Sequence, residues 1–188
     1  MKKPALIVID VQHGINDAAH WGGNRNNPAA EQNIARLLSL WRERTWPVII
    51  VQHSSTTPTS PFYPDKEGHA LMDFVRPHPD DVVIKKSTAN AFINTPLDKH
   101  LRDQKATTIL ITGFVTNNSV EATARMAGDT GFNTVVVSDA CACFDKTGLD
   151  GTKYPATLVH AMALANLKDE YAAIASTEEI INNATERF

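Results

Sequence analysis

Six short runs of consecutive apolar residues limit what this chain can fold into more than any other feature. They are ALIVID (5–10), PVIIVQH (47–53), VVIK (82–85), TILIT (108–112), TVVVSD (134–139) and AAIAS (172–176). They are continuous rather than alternating, so each predicts a strand covered on both faces. The intervals between them read as helices. In 28–44, Ile34, Leu37, Leu38 and Trp41 recur at three- and four-residue spacings, an apolar stripe in a segment that opens on Pro28. Segments 95–104, 117–130 and 154–170 follow the third, fourth and fifth runs in the same way. Repeated strand–helix–strand units predict a parallel sheet with right-handed crossovers and helices on both faces, a doubly wound α/β fold. At 188 residues the chain suits one domain spanning 1–188. Residues 54–81 are the exception: long, proline-rich and without a strand or helix pattern, which in a compact domain marks a lid or binding loop.

Charge and motif content remove several function classes. A net charge of −3 and a pI near 6.1 leave no electrostatic footprint for nucleic acid or an anionic membrane. No apolar run approaches a membrane span, and the opening MKKPALIVIDVQ is too short in its apolar part for a signal peptide. Cys141 and Cys143, the two cysteines, stand too close together for a useful disulfide, which points to a reducing cytoplasm. They read as small packing residues just beyond the fifth strand. No GxGxxG follows a strand and no Walker A sequence occurs, so the fold class implies no nucleotide here. His53 and His69 lack a carboxylate partner in a compact ligand cluster, so no metal or other cofactor is expected. His13, His20, His78, His100 and His160 are scattered and predict surface or helix-face positions.

In a parallel α/β sheet, ligands bind at the carboxyl ends of the strands. Those ends carry Asp10, His53, Lys86, Ser119 and Asp139. Singly, each has an ordinary role: Asp10 can cap a loop, Lys86 can be a solvated neighbour of Lys85, and Ser119 can cap or pack a helix. Together, a carboxylate, an ammonium and a hydroxyl on one sheet edge are the parts of a nucleophilic site. If Thr116 caps the fourth helix, Ser119 lies in its first turn. Unpaired N–H groups and the helix dipole there favour an anion and can receive an oxyanion.

These segments also resemble the isochorismatase-like hydrolases, a family that includes nicotinamidase-related cysteine amidases. ALIVIDVQHG resembles the family's opening strand and sets its aspartate at Asp10. VVIKKSTANAFINTPLDKHLR resembles the lysine segment, and counting back from Ala91–Phe92 selects Lys86 over Lys85. GFVTNNSVEATARMAGDTGFNTVVVSDA resembles the nucleophile segment, with Ser119 where the family has a cysteine. WGGNRNNPAAEQNIARLLSLWR and SPFYPDKEGHAL are similar to a cysteine-hydrolase subgroup. The resemblance implies a three-layer α/β/α sandwich on a six-stranded parallel sheet, a Rossmann-like arrangement. It implies Asp10 as general base, Lys86 as charge stabiliser, the nucleophile at position 119, and a small amide as substrate. It further implies a cis peptide at Phe114–Val115, an oxyanion hole of the Val115 and Ser119 amides, and a homo-oligomer, dimer or tetramer. Nicotinamidases bind a metal through an Asp-x-His pattern and a later histidine. Here Val51 stands at that aspartate in VQH (51–53), so neither the metal nor nicotinamide is expected.

Ser119 changes the chemistry. A thiol of pKa about 8.5 is readily lowered by a helix start and a lysine. A hydroxyl is far harder to ionise, and a carboxylate is a weaker base than the histidine of serine hydrolases. The serine form is expected to hydrolyse amides slowly or not at all. Four readings stand: a cysteine amidase inactivated by a Cys→Ser change, a natural serine that is a weak nucleophile or inert, a vinyl-ether hydrolase of the isochorismatase type with Asp10 as acid, or a non-catalytic small-molecule binding protein. Gln12, Trp21, Asn26, Phe62 and Tyr63 are the expected substrate contacts. Phe62 and Tyr63 are equally suited to packing on a neighbouring subunit.

Overall fold

The computed structural model describes residues 3–184. Its strands and α-helices in chain order are β1 (Ala5–Ile9), α1 (Ala18–Trp21), α2 (Ala30–Glu43), β2 (Val48–His53), β3 (Val82–Lys86), α3 (Leu97–Asp103), β4 (Thr108–Phe114), α4 (Glu121–Asp129), β5 (Asn133–Ala142), β6 (Lys146–Thr147), β7 (Lys153–Tyr154), α5 (Ala156–Leu167), β8 (Ala173–Ala175) and α6 (Thr177–Asn183). The six apolar runs join one parallel sheet in the order β3–β2–β1–β4–β5–β8, and β6 and β7 form a separate antiparallel hairpin.

Alternate residues of β1 point to opposite sides, yet every one is buried. Leu6 and Val8 join Ile34, Leu37, Leu38 and Trp41 of α2 in one core. Ala5, Ile7 and Ile9 join Leu97 and Leu101 of α3 and Ala124 and Ala127 of α4 in the other. Helices therefore cover both faces, and the fold is a three-layer α/β/α sandwich on a six-stranded parallel sheet. Continuous apolar runs are the sequence expression of that double coverage. Among the described residues no helix is long and apolar enough to cross a membrane. The strand order also positions the site. From β1 the chain builds outward through β2 and β3, then returns to β4 on the other side of β1. The carboxyl ends of β1 and β4 flank this switch point, where open α/β sheets form a ligand crevice.

Several boundaries differ from the sequence reading. β4 reaches Phe114 and β5 reaches Ala142, because a register shift between Ile111 and Gly113 lets Gly113 pair with Cys141 and Phe114 with Ala142. Cys141 thus lies within β5, and Asp139 is not at a strand end. The Asp139 carboxylate accepts from the Thr177 N–H at 2.7 Å and from its hydroxyl at 2.8 Å, tying down α6. That helix carries its own signal, a reciprocal capping box of Ser176 and Glu179, which apolar periodicity does not detect. α2 starts at Ala30, two residues after Pro28, and residues 54–81 hold only single helical turns at Glu67–His69 and Asp73–Val75.

Thr116 caps no helix. Thr116–Val120 form a π-helical turn, and Thr116 Oγ1 lies 2.9 Å from His160 Nδ1 on α5. His160 is therefore buried rather than on the surface. Burial pushes its imidazole below the ordinary range, and a contact with the Ser138 backbone offsets part of that shift.

Two measurements follow. Gly113 sits at φ +115, and a Cβ there would fall on the Ile9 carbonyl. Gly113→Ala is expected to destabilise the fold by more than about 2 kcal/mol in urea unfolding, whereas Gly131→Ala, at φ +87 with open space around it, should cost about 1 kcal/mol. For His160, the unfolded chain takes up a proton below about pH 6.5 that the folded imidazole resists. Its contribution is complete above that pH and is lost as pH falls toward the lower folded value. The urea midpoints of His160→Gln at about pH 5 and about pH 7.5 are expected to differ less than those of the parent.

Candidate active site

Asp10 leaves β1 at φ +54, a left-handed conformation that aspartate tolerates better than most residues. Its N–H still donates to the Val51 carbonyl at 2.9 Å, so the turn stays pinned to β2. Lys86 closes β3. Strand alternation leaves Lys85 exposed and Lys86 buried, and the register pairs Lys86 with His53. The ammonium Nζ lies 2.7 Å from Asp10 Oδ2, 3.1 Å from His53 Nδ1, 3.1 Å from the Thr88 carbonyl and 3.2 Å from Ser119 Oγ. The Lys86 side chain is 0% exposed and that of Asp10 3%, so the pair lies out of water and depends on such contacts. Asp10 Oδ1, in contrast, is buried with no hydrogen-bond partner among the described residues. Buried carboxylate oxygens are seldom left unpaired, and an orphan of this kind in a cleft marks a group available for proton transfer.

Ser119 sits in the Thr116–Val120 turn between β4 and α4, and the Phe114–Val115 peptide just before that turn is cis. Asp10, Val115, Asn118 and Ser119 line a cavity of about 320 Å³, within the range of small-molecule sites. Trp21, His53 and Phe62 form one wall. The Trp21 and Phe62 rings are 5.1 Å apart and the His53 and Phe62 rings 5.8 Å. The Trp21 indole N–H donates to the Gly14 carbonyl at 2.8 Å, which holds the ring in place. Ser55, Thr57, Thr59 and Ser60 also line the cavity. A larger cleft of about 460 Å³ lies at the other ends of the strands, among Arg42, Trp46, Val48 and His100, away from all these groups.

Of the five expected substrate contacts, Trp21 and Phe62 line this cavity. Gln12 does not: its amide N–H groups donate to the carbonyls of His53 at 2.9 Å and His69 at 2.8 Å, and its oxygen accepts the His53 N–H at 2.8 Å. Asn26 is likewise committed, accepting the Cys143 N–H at 2.7 Å and donating its own N–H to the Cys143 carbonyl at 3.2 Å. Tyr63, next to Phe62, is not part of the lining. Sequence reasoning passed over the hydroxyl wall, whose signal was the run SSTTPTS (54–60), and the tie between His53 and Lys86. His69 turns to a different partner, with Nε2 2.9 Å from Ser54 Oγ. Burial holds both thiols above their ordinary range, Cys143 at about 12, which removes them as nucleophiles.

Comparison with known proteins identifies the family. The isochorismatase domain matches residues 4–179. The isochorismatase family protein YrdC of Bacillus subtilis is 43% identical over 182 residues, 97% of this chain and 96% of that one. A crystal structure from Chromobacterium violaceum assigned to the isochorismatase family superposes with a TM-score of 0.92 at 43% identity, covering 97% of this chain and 93% of that one. Ureidoacrylate amidohydrolase RutB of Methylobacterium radiotolerans is 40% identical over 72 residues, 38% of this chain and 28% of its own. With a match across almost its whole length, this chain belongs to the isochorismatase family.

Proposed function

We propose that the chain is built to hydrolyse a C–N bond of a small amide, with Asp10, Lys86 and the residue at 119 as its reacting set and Ser119 as a weak stand-in for a thiol. One observation carries the reading: Lys86 bridges Asp10 Oδ2 and Ser119 Oγ while Asp10 Oδ1 stays buried and unpaired. In the forward reaction Asp10 takes the proton from the nucleophile, which attacks the amide carbonyl carbon. The tetrahedral oxyanion is received by the Val115 and Ser119 N–H groups, and the amine leaves with the proton from Asp10. Water then releases the acid by the same route in reverse. Lys86 holds the carboxylate and stabilises negative charge at position 119. The amidohydrolase activity named for RutB supports the amide class. Tyr154, Leu158 and Met162, each exposed and lining one largely apolar groove, support assembly of the chain as a homo-oligomer, dimer or tetramer.

The test is a panel of small neutral and acidic amides, offered to the chain as it stands and to Ser119→Cys. Turnover is expected only, or far faster, with cysteine. In that background Asp10→Asn and Lys86→Ala are each expected to lower kcat/KM by roughly 10²–10⁴-fold. Full activity in either variant overturns the assignment. Cleavage of isochorismate by both the serine and cysteine forms, lost in Asp10→Asn, would replace it with vinyl-ether hydrolysis. Tight ligand binding with no turnover by either form would make the chain a binding protein.

A further inference from the structure

His53 sits on β2, between the strands that carry Asp10 and Lys86, and nothing in the proposed reaction uses it. Its Nδ1 lies 3.1 Å from Lys86 Nζ. An ammonium has three N–H donors and no lone pair, so a hydrogen bond at that distance requires Nδ1 to accept. A proton on Nδ1 would set two donors against each other. The neutral ring must then carry its proton on Nε2, since the tautomer of an imidazole is fixed by what its other nitrogen binds. The Thr88 backbone is the other polar group against the ring, and Nε2 is not among the buried unpartnered atoms, although the residue lines the cavity. Its N–H therefore opens into the pocket. The groups that face this ring are Lys86, Asp10, His69 and the Thr88 backbone, with the Phe62 ring beside it. Burial and the Lys86 charge hold the imidazole below its ordinary range, against smaller upward pulls from Asp10 and the Thr88 backbone, which favours the neutral ring.

The same lining restricts charge. Apart from the two imidazoles of His20 and His53, the cationic side chain that meets these groups is Lys86, fully buried, with its three N–H groups already facing four polar atoms. An anionic substrate would meet the Asp10 carboxylate with no free ammonium or guanidinium among the lining residues to offset it. A neutral acceptor needs only a donor. We propose that His53, held by Lys86 as the Nε2–H tautomer, donates that hydrogen bond to an acceptor atom of an uncharged amide, and so selects neutral substrates over carboxylate-bearing ones. This rests on the amide reading for its substrate and on geometry alone for its tautomer.

The two parts are read separately. Nitrogen-15 NMR of the imidazoles in the chain as it stands is expected to report His53 with Nε2 protonated and Nδ1 bare at neutral pH. A proton on Nδ1, or a charged ring, overturns the proposal whatever the enzyme does. Kinetics use Ser119→Cys with two matched pairs, butyramide against succinamate and benzamide against 4-carbamoylbenzoate, and the neutral member of each is expected to be preferred. Asparagine reproduces the position of Nδ1 but not of Nε2, while glutamine reaches the Nε2 position. His53→Asn should therefore raise KM for the neutral amides about tenfold with kcat little changed, and His53→Gln should restore most of that loss. A preference for the carboxylates, or an unchanged KM in both variants, overturns the substrate contact. If Ser119→Cys turns over no amide, the amide reading fails. The contact is then decided by whether benzamide, titrated into the chain, shifts the His53 Nε2 resonance.

Discussion

The Lys86 ammonium is the constraint on which the rest of the site depends. A charge taken fully out of water costs several kcal/mol even after the protein relaxes, and only good geometry and added hydrogen bonds offset it. Those partners come from four places: Asp10 after β1, His53 at the end of β2, Thr88 after β3, and Ser119 after β4. None is local except Thr88. The parallel register therefore has to be right for the lysine to be tolerated. A one-residue slip of β3 would turn Lys86 out and Lys85 in. The ammonium is in this sense a check on the sheet as well as a part of the proposed chemistry.

Position 119 gains a different meaning in that setting. Lys86 offers a charged donor to whatever atom stands there, and a charged donor is worth most against an anion. A thiolate would complete the arrangement, because it can exist near neutral pH beside a lysine. The hydroxyl of Ser119 accepts the same hydrogen bond but brings no charge, and in the proposed reaction Asp10 would have to remove a proton from a far weaker acid. On the proposed reading the site is thus organised around a negative charge that Ser119 does not readily carry. Under the proposed reaction that mismatch, more than any missing residue, would separate the geometry from fast turnover.

Much of this was legible in the sequence, for a definable reason. Strands buried on both faces announce themselves as unbroken apolar runs, and the residues at their carboxyl ends are countable, so Asp10, Lys86 and Ser119 could be named without coordinates. What escaped depends on tertiary contacts that leave no local pattern. Gln12 and Asn26 have polar side chains suited to a substrate, yet both are consumed by backbone groups of distant segments. Asp139 looked like a strand end because the apolar run stops there. The bulge at Gly113 extends the pairing past it and makes it an anchor for α6. His160 appeared as one of several scattered histidines, and only the approach of α5 to the Thr116–Val120 turn gives it a partner.

The same division runs through the site itself. Its floor comes from strand ends, whose positions are fixed by the register of the sheet. Its outer wall comes from Ser55 to Phe62, in a loop that has no regular structure to hold it. Gln12 links the two: rooted just after β1, it ties the end of β2 to the carbonyl of His69 further along that loop. Gln52 adds a second bond to the same carbonyl at 2.9 Å. A floor set by register can be kept through large changes in sequence, since it needs only a few residues at strand ends. A wall set by a loop can change its hydroxyls and rings without disturbing the charges beneath it, provided the Gln12 clasp survives. On the proposed reading, reaction class is therefore a property of the sheet, and substrate choice a property of the loop clasped to it.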